Sequence, residues 1–348
     1  VIKVGIVGAS GYTGNELIRL LGQHPHVALE CLASRSLGGQ AVADHQPSMA
    51  GWATWNYEPL DVADMAQRCD VIFTAVPHGA AMEPAAIALA AGKKLIDLGT
   101  DFRFRDLTVY EHWYKIPHVQ PELNKEAVYG LPELFRESIT QARLIANPGC
   151  YPTSALLALA PLVRHGAIDT SSIVINSVSG VSGAGATPKP MYHFPDCTEN
   201  VQAYGTATHR HTPEIEQGIA ALTGDSNVRV SFTPHLVPMS RGILTTAVCT
   251  LRGSDWTNGS LRSLYEDFYR QEPFVVVLDM DRLPQTKAVW GSNYCHISVR
   301  FDERTNRAII QAAIDNLVKG AAGQAVQNMN LLFGLPETTG LTSPGLMP

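Results

Sequence analysis

Residues 2–21 constrain the fold more than any other stretch. Ile2-Lys3-Val4-Gly5-Ile6-Val7 is a short β-type run, Gly8-Ala9-Ser10-Gly11-Tyr12-Thr13-Gly14 follows without a break, and Asn15-Glu16-Leu17-Ile18-Arg19-Leu20-Leu21 places apolar residues at helical spacing. Strand, glycine turn and helix in that order open a parallel, doubly wound sheet. Glycines there let the backbone turn tightly and approach a pyrophosphate, whose charge the helix N-terminus favours. The spacing is GxxGxxG where GxGxxG is commoner, so a turn serving only close packing is the competing reading. The placement between strand and helix favours a dinucleotide site with Gly8, Ser10, Gly11, Tyr12, Thr13 and Gly14 as its contacts.

The second strand, Val27 to Ala33, ends in Ser34-Arg35-Ser36, at the distance where the ribose-reading residue belongs. An acidic residue there would take the 2′-hydroxyl of NAD; none is present. Arg35 between two hydroxyls reads as a clamp for a 2′-phosphate, so NADP(H) is expected over NAD. A solvated surface arginine is the alternative.

The other thing a chain of this kind needs is a reacting group, and Ala146-Asn147-Pro148-Gly149-Cys150-Tyr151-Pro152-Thr153 supplies one. The apolar run from Ser154 to Val163 reads as a buried helix, bent or broken near Pro161, with Pro152 in its first turn, where a missing N–H costs nothing. Cys150 then stands at a helix N-terminus, whose partial positive charge favours thiolate over thiol. An inert core cysteine is the bland reading, and Pro-Gly before it and Tyr-Pro after it argue against an ordinary core position. Proton transfer is expected from His209-Arg210-His211-Thr212-Pro213-Glu214, which ends a loop and opens a helix with Thr212 as N-cap and Pro213 at the first helical position. His209, still on the loop, is favoured over His211 for the proton, and Glu214 supplies a carboxylate beside them. His-x-His without a third ligand is thin evidence for a metal, and none is expected.

The remaining sequence sets limits. Net charge is −6 with scattered Lys and Arg, which gives no basic footprint for nucleic acid. At 348 residues and 45% hydrophobic the chain can fill two domains without staples. No charged-then-apolar leader precedes the first strand and no apolar run reaches membrane-span length, so a cytoplasmic protein is expected. Six cysteines without CxxC pairs argue against zinc or a redox dithiol. Strand runs at 69–77 and 93–99 flank an Ala-rich helix at 80–91, which continues the parallel sheet; His78-Gly79 and Thr100 to Arg103 follow strand ends, where ligands gather. From Ile173 the runs at 172–178, 228–233, 242–251 and 308–313 suggest a mostly antiparallel sheet. Asp315 to Met329 reads as an amphipathic helix returning to the first domain. The expected architecture is thus α/β: a Rossmann-type dinucleotide domain of residues 1–149 and 315–348, and an α+β catalytic and dimerisation domain of residues 150–314. Ser179 to Gly185 follows a β-run and is expected either to form a nest of free N–H groups or a plain flexible loop.

These segments carry a family resemblance over essentially the whole chain. Gly8 to Gly14, Tyr129-Gly130-Leu131-Pro132-Glu133, Asn147 to Thr153, Ser179 to Gly185, His209 to Ile215, Phe232 to Leu236 with Arg241 to Leu244, and Asp315 to Ala321 are similar to the N-acetyl-gamma-glutamyl-phosphate reductases, the arginine-pathway branch of the aspartate-semialdehyde dehydrogenase-like superfamily. Gly-Cys-Tyr-Pro-Thr and His-Arg-His separate this branch from its aspartate-semialdehyde relatives. The resemblance implies NADPH-dependent reduction of N-acetyl-glutamyl 5-phosphate to the 5-semialdehyde and phosphate through a thioester on Cys150, in a homodimer or homotetramer. It also implies Ser182, Gly183 and Asn316 as cofactor contacts, and Arg103 and Arg241 as anchors for phosphate or α-carboxylate, with structural ion pairing as the alternative for both arginines. One departure is Ala186, where the family leads one to expect a basic residue; Lys189 is the nearby candidate for that anion contact. An aspartate-semialdehyde dehydrogenase is the nearest competing function. A cysteine hydrolase would leave the glycine turn without a purpose, and a non-catalytic NADP sensor would not need Cys150.

Overall fold

The computed structural model describes all residues, 1–348, and divides them into two compact units, Val1–Pro148 with Ala321–Thr342 and Gly149–Gly320 with Ser343–Pro348. The return to the first unit comes at Ala321, where the sequence placed it at Asp315, and the last six residues belong with the second unit. Asp315 and Asn316 stay with the second unit because their side chains bond to Gly291, Gly242 and Ser182 there.

The first unit is built on a six-stranded sheet, β1 (Ile2–Val7), β2 (Val27–Ala33), β3 (Val71–Thr74), β4 (Lys94–Asp97), β5 (Val128–Tyr129) and β6 (Leu144–Ala146), in the order β2-β1-β3-β4-β6-β5 with every pair parallel. The strands are short, and β3 is buried on both faces, as parallel strands under crossover helices must be. The strand order reverses between β1 and β3, and a ligand crevice in such a sheet opens at that point. Gly5 in β1 lacks a Cβ that would come within 3.0 Å of Cys69 Sγ, and the space lets Cys69 and Cys31 share a side-chain hydrogen bond over the central strand. Residue spacing offers no sign of this thiol pair.

The Gly323–Leu332 helix of this unit is buried on its polar side as well as its apolar one, which corrects the amphipathic reading. Three of its amides have internal partners: Asn328 Nδ2 donates to Gly130 O (2.8 Å) and Asn147 Oδ1 (3.1 Å), Gln327 to Glu133 and Glu337, and Asn330 to the carbonyls of Glu337 and Thr339, while Gln324, equally buried, makes no side-chain hydrogen bond. Buried amides with matched partners are tolerated at little cost.

The second unit carries a seven-stranded mixed sheet, β7 (Val174–Ser179), β8 (Gln202–Ala203), β9 (Ser231–Leu236), β10 (Ile243–Thr250), β11 (Val275–Val277), β12 (Cys295–Asp302) and β13 (Arg307–Ile314), ordered β11-β12-β13-β10-β7-β9-β8. Only β11–β12 and β7–β9 pair in parallel. Along β10 buried and half-buried residues alternate strictly, so one face packs on a core. The Cys150–Arg164 helix lies on that face, against β10 and β13.

This helix runs through Pro161 without the break that was one of the two outcomes expected there. Pro161 has no N–H for the carbonyl of Leu157, four residues back. Tyr269 Oη donates to that oxygen at 2.5 Å, and Tyr265 Oη donates to Ala158 O at 2.6 Å, so the neighbouring Asn258–Phe268 helix and the residue after it supply what the proline removes. No helix of the chain is long and apolar enough to cross a membrane.

Candidate active site

In the first unit the three motif glycines are needed for three different reasons. Gly8 has φ +84, and a Cβ there would fall 2.2 Å from Ala75 O; a Cβ on Gly14 would fall 2.3 Å from Gly8 O, so the helix and the glycine turn pack at backbone distance; Gly11 has only an ordinary contact, with Gly8 O at 3.6 Å. Gly11 caps the Tyr12–Leu21 helix without a side-chain hydrogen bond, which leaves first-turn N–H groups for a ligand. The crevice above it is lined by Gly8, Ser10, Gly11, Ser34, Arg35 and Ser36, with Ala75 to Pro77 opposite. Ser10 Oγ and Ser34 Oγ are 2.9 Å apart, tying the glycine turn to the end of β2, and Arg35 is exposed beside them. A backbone cradle at the switch point with a cation at its rim fits a dinucleotide carrying an extra phosphate. Arg103 is in this unit too, 5% exposed, with Nε donating to Asn147 O (2.7 Å) and an Nη donating to Leu98 O (2.9 Å). These bonds hold the strand-end loops.

In the second unit the chemistry gathers around the first turn of the Cys150–Arg164 helix. Cys150 is its first residue and Gly149 its N-cap, with no side-chain cap; Cys150 is half-buried, whereas Cys31, Cys69, Cys249 and Cys295 are buried. Gly218 brings the Thr212–Thr223 helix against it, since a Cβ there would meet Leu156 Cδ1 at 2.5 Å. That approach carries Glu214, fully buried, to the turn that bears Cys150, where its Oε1 accepts the Gly149 N–H at 2.9 Å. A buried N–H left without an acceptor would cost about 1–3 kcal/mol. Glu214 therefore holds the residue before the thiol. Thr153 Oγ1 donates to Gly149 O at 2.9 Å and closes the turn.

His209 and His211 reach the same place through Tyr151. The Tyr151 ring is 5.5 Å from the His209 ring and 5.9 Å from that of His211, and Tyr204 and Phe232 each lie 5.4 Å from His209. Burial in this aromatic cage, helped by Arg210, lowers the His209 pKa to about 4. Neutral His209 accepts the His211 N–H on Nδ1 (3.1 Å), so its proton sits on Nε2 as a donor. The helix begins at Thr212 with His211 as cap residue, one position earlier than expected, and Thr212 Oγ1, buried without a hydrogen bond, does not act as a cap. Tyr151 Oη and Tyr204 Oη are 2.9 Å apart, and burial, with the Cys150 sulfur nearby, holds both phenols well above their ordinary range. Sequence reasoning passed over both tyrosines; the Tyr that follows the thiol in Gly-Cys-Tyr-Pro was their one available sign.

The expected nest at Ser179 to Gly185 is not open. The N–H groups of Gly180, Val181, Ser182, Gly183 and Gly185 go to the carbonyls of Gly242, Met239, Ser240, Gly180 and Ser182. Close packing enforces this, because a Cβ on Gly180 would come within 2.7 Å of Ser240 O. Asn316 joins the same fabric, with Oδ1 accepting the Gly242 N–H (2.7 Å) and Nδ2 donating to Ser182 Oγ (3.0 Å). Arg241 is partly exposed with Nη1 3.5 Å from Asp315 Oδ2, and Lys189 is exposed on the loop beyond.

Known proteins match this arrangement along its whole length. The semialdehyde dehydrogenase NAD-binding domain matches residues 3–142, and the semialdehyde dehydrogenase dimerisation domain matches residues 150–316. The N-acetyl-gamma-glutamyl-phosphate reductase of Desulforudis audaxviator is 54% identical over 347 residues, and that of Moorella thermoacetica 52% identical, each covering 100% of both chains. The chain belongs to the N-acetyl-gamma-glutamyl-phosphate reductase family. Among solved structures, aspartate semialdehyde dehydrogenase II of Vibrio cholerae, complexed with ASA, has a TM-score of 0.71 at 19% identity, covering 96% of this chain and 98% of that one; that likeness is one of fold. Cys150 is the first residue of the matched dimerisation domain, so in this reductase family the helix that carries it opens the second domain.

Proposed function

We propose that the chain reduces N-acetyl-L-glutamyl 5-phosphate to N-acetyl-L-glutamate 5-semialdehyde and phosphate with NADPH, a step of arginine biosynthesis, and that Cys150 carries the acyl group. The observation that carries this reading is the half-buried thiol at an uncapped helix N-terminus, on a turn that Glu214 and Thr153 hold in place. The thiolate attacks the acyl carbon; the C–S bond forms, the C–O bond to phosphate breaks, and phosphate leaves. Bound NADPH supplies the hydride that turns the thioester into a hemithioacetal. His209, neutral and with Nε2–H as donor, stabilises the oxygen of that intermediate, and the C–S bond then breaks to give aldehyde and free thiolate. Arg241 and Lys189 serve as cationic anchors for the phosphate or carboxylate, with Arg103 holding its loops from within.

Arg35 with Ser34 and Ser36 takes the 2′-phosphate, and Ser10, Gly11, Tyr12, Thr13 and Gly14 take the pyrophosphate. The chain works in the cytoplasm as a homodimer or homotetramer. Val174, Val178, Leu244, Val248 and Ile309 remain partly exposed on the outer face of the second sheet and suit a second copy. The decisive assay runs the reaction backwards. Phosphate-dependent reduction of NADP should occur with N-acetylglutamate semialdehyde and be at least a hundredfold slower with aspartate semialdehyde; the opposite preference would overturn the assignment in favour of the aspartate-semialdehyde branch.

A further inference from the structure

The thiol of Cys150 has a wall that neither the histidines nor its own helix provides. A Cβ on Gly320 would lie 2.8 Å from Cys150 Cβ and 3.3 Å from Cys150 Cα. No flexible side chain is there to give way, because both atoms belong to the first residue of a long buried helix. Gly320 sits in the middle of a π-helical turn, Val318–Ala322, a winding found mostly as single turns at functional sites. Asp315 fixes that turn from its other end. Its carbonyl accepts the Gly320 N–H at 2.9 Å, and Oδ1 accepts the N–H groups of Leu317 (2.8 Å) and Val318 (3.1 Å). The other carboxylate oxygen accepts the Gly291 N–H at 2.7 Å and lies 3.5 Å from Arg241 Nη1. The Asp315 side chain is completely buried.

We propose that Asp315 and Gly320 are positioning residues of the reaction: the Asp315 carboxylate joins the π turn and the Arg241 guanidinium into one rigid piece, and Gly320, as the wall of that piece, sets where the Cys150 thiol stands relative to the substrate anion. This rests on the thioester reading. A buried carboxylate with three N–H donors and a guanidinium around it has one arrangement that satisfies all of them, so the piece cannot drift. Thiol and anion anchor then share one frame, which is what near-attack geometry demands; a displacement of about 1 Å can cost a hundredfold in rate.

Two variants test it, each read by the pH dependence of iodoacetamide alkylation at Cys150 and by steady-state kinetics. Gly320→Ala should lower kcat about a hundredfold and slow alkylation at neutral pH about tenfold, with the alkylation midpoint moved up in pH, because the thiol is pushed off the helix N-terminus. Asp315→Asn adds no heavy atom but turns an N–H towards the guanidinium; it should raise KM for the acyl phosphate about tenfold and slow alkylation likewise. NADPH affinity should stay within twofold in both. Gly259→Ala, whose Cβ meets nothing nearer than 3.7 Å, should match wild type throughout. If Gly320→Ala does not fold, Asp315→Asn decides alone. Wild-type alkylation profiles and wild-type KM in folded variants would overturn the proposal. Turnover surviving in Cys150→Ser would instead overturn the thioester reading, which the alkylation profiles do not depend on.

Discussion

In the proposed reaction Cys150 and His209 divide the chemistry because their surroundings push them in different directions. The helix N-terminus favours charge on the sulfur, while the aromatic cage disfavours charge on the imidazole. Cys150→Ser should abolish turnover and leave NADPH affinity within a few-fold, since a serine hydroxyl has no comparable access to its anion. Iodoacetamide should label Cys150 first and Cys197, the other half-buried thiol, more slowly. His209→Asn should lower kcat by roughly 10²–10⁴-fold with KM little changed, whereas His211→Asn should mainly cost stability or substrate affinity. An ordinary histidine would place its limb of the pH–rate profile near neutrality. With its pKa lowered to about 4, that limb belongs near pH 4, and His209 stays neutral above it. A kcat/KM profile in which His209→Asn removes a near-neutral limb, or in which His211→Asn does so, would refute the assignment. Arg35→Ala should weaken NADPH by about 1.5–3 kcal/mol and barely change NADH, the value of a hydrogen bond to a charged group. Paired titrations decide it, and equal losses for the two cofactors would make Arg35 structural.

Among the elements, the Cys150–Arg164 helix shows what local pattern reveals and what it hides. Its apolar run, its start near Pro152 and its thiol were legible, because burial and N-terminal chemistry are written in adjacent residues. Its passage through Pro161 was not, because the repair comes from Tyr265 and Tyr269, more than a hundred residues away. Tyr269→Phe should therefore destabilise the fold by about 1–3 kcal/mol, the cost of a buried carbonyl left without a donor. Adding Pro161→Ala restores the helical N–H for Leu157 O, so the double variant should recover most of that loss. Denaturant unfolding of the four proteins in the cycle measures the coupling, and strict additivity would show that the two sites are independent. The same limit explains the Gly323–Leu332 helix and the Ser179 to Gly185 loop. Asn328 and Gln327 of the helix, and the N–H groups of Gly180, Val181 and Ser182 in the loop, find partners at positions distant in sequence, so local pattern makes the helix read as solvent-facing and the loop as ligand-facing.

For the molecule as a whole, the order of strand, glycine turn and helix, and the later change to antiparallel runs, were enough to read two architectures from one chain. The thiol pair of Cys31 and Cys69 and the buried carboxylates were beyond that reading, since nothing in their spacing places them together. One of those carboxylates governs stability against pH. Burial, with Asp101 nearby, raises the Asp97 pKa to about 7 from 3.8, and its Oδ2 makes no hydrogen bond. A carboxyl whose folded pKa is raised costs nothing below the unfolded pKa and costs progressively more as pH rises towards the folded one. Asp97→Asn keeps an acceptor for Thr74 and Gly99 and should gain on wild type progressively as pH rises from about 4 to about 7. Melting curves across that range give the answer, and a constant difference would mean Asp97 does not titrate there. The central claim, that the acyl group passes through Cys150, is met most directly by mixing the protein with N-acetylglutamyl phosphate in the absence of NADPH and mapping the product by mass spectrometry. The account predicts stoichiometric phosphate release, an N-acetylglutamyl group on Cys150, and its discharge as the semialdehyde when NADPH is added; phosphate release that waits for NADPH, with Cys150 unmodified, would contradict it.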